Sequence, residues 1–165
     1  MKRFRSKVNT NIDDFKKNHQ EMLALVVQLQ ERLKLSLNQG PDDLVARHLK
    51  AGRLLARDRV ELLLDQDSPF LELMPLAGWE QDCALGGSIV SGIGLVSGVE
   101  CLISASVPTI KGGSVNEVTL AKSARIAQIA AENNLPSISL IQSAGADLSQ
   151  QASLPLCRCG RCAYA

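Results

Sequence analysis

Two stretches carry residue types that could do chemistry, and both offer main-chain N–H groups rather than reactive side chains. The first is Lys111-Gly-Gly-Ser114, just before a helical pattern. Gly112 and Gly113 let the backbone turn tightly and come close to a ligand. Ser114 and Glu117 have the S-x-x-E spacing of a capping box, so the helix is expected to begin at Ser114. A helix N-terminus attracts anions. Lys111, Lys122 and Arg125 are the only cations between Arg59 and Arg158, and a phosphate-bearing ligand would be served by them. An ordinary glycine turn with solvated basic residues fits the same letters.

The second stretch is Ser143-Ala144-Gly145-Ala146-Asp147, directly after the apolar run Ser137–Gln142. Small side chains leave N–H groups accessible, and two of them aimed at one oxygen form an oxyanion hole, which can lower a barrier by about 3 kcal/mol. Plain loops share this composition. Its place at the carboxyl end of a strand in an α/β layer adds weight. Together the stretches fit a site that holds an acyl group and its carrier and steadies charge on a carbonyl oxygen.

The elements that must position them follow from periodicity. Residues 115–133 read as a helix with Ala121, Ala124, Ala127 and Ala131 on one face, a small-residue face expected to lie close to a sheet. Asn133, Asn134 and Pro136 end it. Residues 88–96 and 99–106 read as a β-hairpin with Ser97-Gly98 at the turn. Gly86, Gly87, Gly92 and Gly94 have no helix after them, so they read as strand crowding or bulges rather than a phosphate loop. The crossover helix should make the strands it joins parallel. Upstream, Phe70–Pro75 is a short extended segment, and Trp79 anchors a loop over 77–87.

Residues 12–37 look like one helix, with Phe15, His19, Met22, Val26, Leu29 and Leu33 forming an apolar seam expected to pack on a neighbour such as another subunit. His19 has no ligand partner nearby and reads as a packed or half-exposed histidine. A second helical stretch, 43–64, is divided at Gly52. Arg53, Arg57 and Arg59 against Asp58 and Glu61 read as a solvated, ion-paired face.

The 165 residues fit one domain with an added helical arm; hydrophobic content is 45% and aromatic content 3%, so the core must be aliphatic. A net charge of +1 argues against a nucleic-acid binder, although thirteen of the eighteen cations precede Gln66. Lys2, Arg3, Arg5 and Lys7 are followed by no signal-peptide core, and no stretch is long enough to cross a membrane. A cytoplasmic chain is expected; the early acids Asp13, Asp14 and Glu21 weaken a mitochondrial presequence.

Five blocks then fall in one order: Gly52–Asp65, Ser68–Leu73, Gly92–Cys101, Lys111-Gly-Gly-Ser114 and Asn134-Leu-Pro136. Together they resemble the N-terminal half of the carboxyltransferase (beta) subunit of biotin-dependent acyl-CoA carboxylases, in the methylcrotonoyl-CoA and propionyl-CoA carboxylase branch. The resemblance covers roughly residues 20–151. It implies an α/β fold, a partial crotonase-like ββα spiral over 66–151, preceded by a helical arm over 1–65. It implies transfer of a carboxyl group from carboxybiotin to the α-carbon of an acyl-CoA through an enolate. On that reading Ala144, Gly145 and Ala146 are the oxyanion residues, and Lys111, Gly112, Gly113, Ser114, Lys122 and Arg125 hold the CoA ester. Biotin would be carried by a partner protein, with a biotin carboxylase or biotin carrier subunit and a homo-oligomer as the assembly, and with no metal, nucleic acid or membrane involved. The family usually has Ser-Gly-Gly-Ala where this chain has Ser143-Ala144-Gly145-Ala146. The missing glycine puts the loop's backbone shape and its acyl preference in question.

Residues 152–165 read as an unrelated tail. Cys157, Cys159 and Cys162 lack a fourth zinc ligand, and five cysteines in unrelated segments form no disulfide framework. A shifted or prematurely ended reading frame is the preferred explanation of the abrupt Cys/Arg composition. The family's second glycine-rich segment and second domain are not recognised, so the chain is expected to be incomplete and inactive alone. Two alternatives stay open. One is a stand-alone crotonase-type enzyme such as a hydratase, for which Asp147 and Glu117 are the available carboxylates. The other is a non-catalytic helical module built on 12–37.

Overall fold

The computed structural model describes Ser6, residues 8–147 and Ser149. The Cys/Arg tail and its proposed origin lie outside the described residues. The chain divides into two compact units, Met1–Leu35 and Ser36–Ala165.

The first unit is dominated by helix α1 (Asp13–Ser36), with Asp13 and Asp14 in its first turn and Lys34 in its last, as the helix dipole favours. Phe15 and His19 stack with ring centroids 6.0 Å apart and an interplanar angle of 8°. Met22, Val26 and Leu29 of the expected seam are exposed. No helix among the described residues is long and apolar enough to cross a membrane.

The second unit is a four-stranded sheet between helices. Helix α2 (Asp42–Lys50) stops before Gly52, and α3 (Ala56–Leu63) restarts beyond it. The break therefore falls where the glycine placed it. The backbone N–H of Leu55 donates to the Asp58 carboxylate at 3.3 Å, closing the start of α3. Strand β1 (Phe70–Glu72) pairs antiparallel with β2 (Ile89–Val96), β2 antiparallel with β3 (Val99–Ser106), and β3 parallel with β4 (Ser137–Leu140), in the order β1-β2-β3-β4. Ser97 (φ 52) and Gly98 (φ 75) make the two-residue hairpin turn. The Asp65 carboxylate accepts from both of their N–H groups, at 2.6 and 2.7 Å. Gly92 is required by crowding: a Cβ there would lie 2.5 Å from the Leu71 carbonyl oxygen.

Helix α4 (Glu117–Glu132) makes the crossover. The sheet's two faces have separate cores. Ala56 and Val60 of α3 pack with Val90, Cys101, Ile103, Ala105 and Val107. On the other face, Leu102 packs with Ile126 and Ala130 of α4. The α4 face turned to the sheet is therefore not the expected alanine stripe. Ala121, Ala124, Ala127 and Ala131 are exposed by comparison, whereas Thr119, Lys122, Ile126 and Ala130 are buried. Burial of the larger Ile126 wins, because it removes more apolar area from water than an alanine can.

The arginine-rich face of α3 is not simply solvated. Arg57 reaches Glu72 of β1 with two bonds of 2.7 and 2.9 Å and donates to the Ser36 carbonyl at 3.1 Å. Both side chains of this pair are less than a quarter exposed. Trp79 is half-buried in its loop, as expected.

Candidate functional site

The glycine turn is a single turn of 3-10 helix, Lys111–Gly113, with Lys111 at φ 44 and both glycines at φ 69. Gly113 is obligatory: a Cβ would sit 2.5 Å from the carbonyl oxygen of Gln142. Helix α4 does not start at Ser114. Its N-cap is Asn116, whose Oδ1 accepts from Thr119 N–H at 2.8 Å and from the Thr119 hydroxyl at 2.9 Å. The reason is that Val115 is committed to an extended bridge with Ala146, so helical dihedrals can begin only beyond it. Ser114 is buried instead, and its carbonyl accepts from the Ser88 hydroxyl at 2.6 Å.

The two chemically suggestive stretches form one seam. Ala144 N–H donates to Gly112 O, Val115 N–H to Gly145 O and Asp147 N–H to Val115 O, each at 2.9 Å. The Ser143 hydroxyl donates to Gly113 O at 2.7 Å and accepts from Gly145 N–H at 3.1 Å. Lys111 Nζ closes the seam against the Asp147 carboxylate at 3.2 Å. That carboxyl is held below its usual range by the Ser149 hydroxyl and then by Lys111. The N–H groups of Ala144 and Gly145 are thus used within the seam. Within the two stretches, among the described residues, the N–H groups of Lys111, Gly112, Ser143 and Ala146 meet no acceptor, which leaves them as the available donors.

A cavity of about 580 Å³ opens beside this seam. Gly112, Gln142, Ser143 and Ala144 line it together with Arg47, His48 and Arg53. His48 is buried and donates from Nε2 to the Leu54 carbonyl at 3.1 Å, so its ring holds the end of α2 against the following link. The Thr109 hydroxyl bonds to the Gln39 carbonyl, tying the loop after β3 to the segment before α2. Arg47 and Arg53 are exposed. They bring positive charge to the cavity lining.

The expected cations are distributed differently. Lys111 is at the seam and paired. Lys122 is not available to a ligand: it is 2% exposed, and its ammonium donates to Gly86 O at 3.1 Å and Ile89 O at 2.9 Å. Burial lowers its pKa from 10.5 to about 8. Arg125 is exposed and bonded to Gln128 at 2.8 Å, away from the cavity wall. Arg47 and Arg53 were not legible as site residues, because their role depends on α2 approaching a loop some sixty residues later in the chain. Their only local signal was the clustering of cations around the Gly52 break. No group of three or more metal-ligating side chains occurs among the described residues.

Residues 47–165 match the model of the carboxyl transferase domain. The chain belongs to this family. The matched span begins inside α2 and runs through the Cys/Arg tail. The chain is 43% identical over 133 residues to the biotin-dependent 3-methylcrotonyl-coenzyme A carboxylase beta1 subunit of Mycobacterium tuberculosis, covering 79% of this chain and 25% of that protein. The beta subunit of Pseudomonas aeruginosa geranyl-CoA carboxylase superposes with a TM-score of 0.82 at 40% identity, over 93% of this chain and 29% of that one. The transcarboxylase 12S hexamer, solved with methylmalonyl-coenzyme A and methylmalonic acid bound, gives a TM-score of 0.68 at 25% identity, over 78% and 26%. The sheet and its helices are therefore part of a crotonase-like α/β fold. The chain spans about a quarter of the length of the relatives it matches.

Proposed function

We propose that this chain is the acyl-CoA-holding part of a carboxyltransferase (beta) subunit of a biotin-dependent acyl-CoA carboxylase. The observation that carries the reading is the meeting of the two glycine-bearing corners, Gly112–Ser114 and Ser143–Ala146, in one seam, whose Gly112, Ser143 and Ala144 line a cavity that Arg47 and Arg53 also line. A thioester carbonyl at the cavity wall would meet the unused N–H groups of Gly112 and Ser143. The nucleotide handle would carry its phosphates toward the two arginines, whose forked donors suit phosphate oxygens. Transfer of the α-proton of the acyl group to a base that this chain is not assigned to supply places negative charge on that carbonyl oxygen. Fixed N–H donors stabilise the enolate more than the neutral thioester, which lowers the barrier to forming it. Biotin, carried by a partner subunit, supplies the carboxyl group that the α-carbon receives, and no residue of this chain is assigned to hold it.

A hydratase reading needs a carboxylate free to serve the acyl group. Asp147 is engaged by Ser149 and Lys111 and Glu117 does not line the cavity, so this reading is not carried forward. The assembly proposed with the function is a homo-oligomer served by a biotin carboxylase or biotin carrier subunit, and the compartment proposed is the cytoplasm.

Calorimetric titration of CoA and acyl-CoA esters into the chain tests the reading. Binding is expected to weaken with salt, and the Arg47→Glu/Arg53→Glu double variant should lose roughly tenfold in affinity, about 1.4 kcal/mol. Absence of CoA binding, or binding indifferent to both arginines, would overturn it. Free biotin added to the acyl-CoA-loaded chain then reports whether any transfer survives without the rest of the subunit.

A further inference from the structure

Ser88 stands behind the seam, in the turn that leads into β2. It is 1% exposed and does not line the cavity, so it would touch no ligand there. We propose that Ser88 is a positioning residue: it fixes the Ser114–Val115 peptide, and through that peptide the loop Ser143–Ala146 that receives the thioester carbonyl. The proposal rests on the acyl-CoA reading above and deepens it.

The geometry of one peptide unit is the first argument. The Ser88 hydroxyl donates to the Ser114 carbonyl at 2.6 Å, and the Val115 N–H donates to the Gly145 carbonyl at 2.9 Å. A trans peptide is planar, and its carbonyl and N–H point in opposite directions. Holding the carbonyl on the buried side therefore aims the N–H at the loop. A carbonyl has no proton to give, so the Ser88 proton is committed to this bond, and the neighbouring Thr119 hydroxyl donates to Asn116 Oδ1 at 2.9 Å. Ser114 is 8% exposed. Without the Ser88 hydroxyl its carbonyl would lose its partner, and turning it toward water would swing the Val115 N–H off Gly145.

The second argument is that Ser88 is anchored on all sides, whereas packing does not hold the loop. The Ser88 N–H donates to the Thr119 hydroxyl at 3.0 Å, and its carbonyl accepts from the Val107 N–H at 2.8 Å. The Lys122 ammonium holds the carbonyls of Gly86 and Ile89 on either side of it. Ser143, Ala144, Gly145 and Ala146 are exposed, and a Cβ at Gly145 would meet nothing within 4 Å. Hydrogen bonds to Gly112, Gly113 and Val115 set their place, and the bond from Val115 is the one aimed from the buried side.

Amide hydrogen exchange, read by NMR on the ligand-free chain, tests this without a ligand. In Ser88→Ala the N–H groups of Val115, Ala144 and Asp147 should exchange roughly tenfold faster relative to the Leu102 N–H of the sheet. Ser88→Cys has a weaker donor and should fall between Ser88→Ala and the native chain, so a folding defect in one variant leaves the other decisive. Asp65→Ala, which unfastens the Ser97-Gly98 turn, is the control for lost stability. Its seam and sheet amides should change in step. The same in-step change in both Ser88 variants would overturn the proposal. Calorimetry then compares acetyl-CoA with S-ethyl-CoA, a thioether without the carbonyl oxygen, and with free CoA. The native chain should prefer the thioester by roughly tenfold. Ser88→Ala should bring that ratio close to one and leave free CoA unchanged. One ratio shared by the native chain and both Ser88 variants would overturn the role toward the carbonyl while leaving the CoA reading intact. If free CoA does not bind the native chain, that reading fails by itself, and the exchange pattern alone supports or overturns the hold of Ser88 on the loop.

Discussion

Lys122 keeps a charged group almost wholly out of water, tethered only to two carbonyls. Its pKa of about 8, against 10.5 for a free lysine, means the folded chain releases the proton first as pH rises. Below pH 8 both states are protonated and the burial penalty is fully present. Between 8 and 10.5 the unfolded state binds more protons, so stability from this group rises with pH. Urea unfolding of the native chain and of Lys122→Met, followed from about pH 7 to about pH 10, should show the native chain gaining on the variant above pH 8 by up to about 1.4 kcal/mol per pH unit. Parallel curves would refute the assignment. Gly113 is the second sensitive residue. Ala there would meet Gln142 O at 2.5 Å and occupy the left-handed region. Gly113→Ala is expected to destabilise the chain by about 2 kcal/mol and to lower CoA affinity at least tenfold, both read in one series of thermal and calorimetric scans.

Helix α4 shows how an element can be located correctly and rotated wrongly. Its end at Asn133, the hairpin before it and the parallel strand after it follow from periodicity and turn chemistry; its start does not, because Val115 is bridged to Ala146. Which face meets the sheet does not, because Ala and Ile stripes both occur at helical spacing. The buried set Thr119, Lys122, Ile126 and Ala130 is chosen by what the sheet and the Gly86–Ile89 turn present. Helix α3 is pinned to β1 by Arg57 and Glu72, a pair that replaces the local ion pairs its sequence offers. Arg57→Met alone should destabilise the chain by about 2 kcal/mol, because Glu72 is left half-buried without its partner. The double variant Arg57→Met/Glu72→Leu should recover more than half of that loss in denaturant titrations. Failure of the double variant to recover would mean that the Ser36 carbonyl bond, rather than the ion pair, dominates.

At the scale of the molecule, β4 is the edge strand of the sheet among the described residues, and Ile141 just beyond it is 77% exposed. An open strand edge beside exposed apolar surface is a template for pairing with another chain. Concentration-dependent self-association is therefore expected in sedimentation velocity, and Ile141→Lys should reduce it. A single monomeric species for the native chain across the accessible concentrations would contradict this expectation.

The order of elements, the crossover that makes β3 and β4 parallel, and the two glycine-bearing stretches were set by local sequence. Turns, caps and apolar periods are short-range constraints that a few neighbouring residues satisfy. Tertiary structure alone decided which backbone donors remain unused, which lysine is buried, and that Arg47 and Arg53 line the cavity beside the seam. Those outcomes depend on what approaches from distant parts of the chain: Gln142 against Gly113, Ala146 against Val115, and the Gly86–Ile89 turn against Lys122. A hydrogen-bond donor is free only if no acceptor arrives, and arrival is a property of the packed fold.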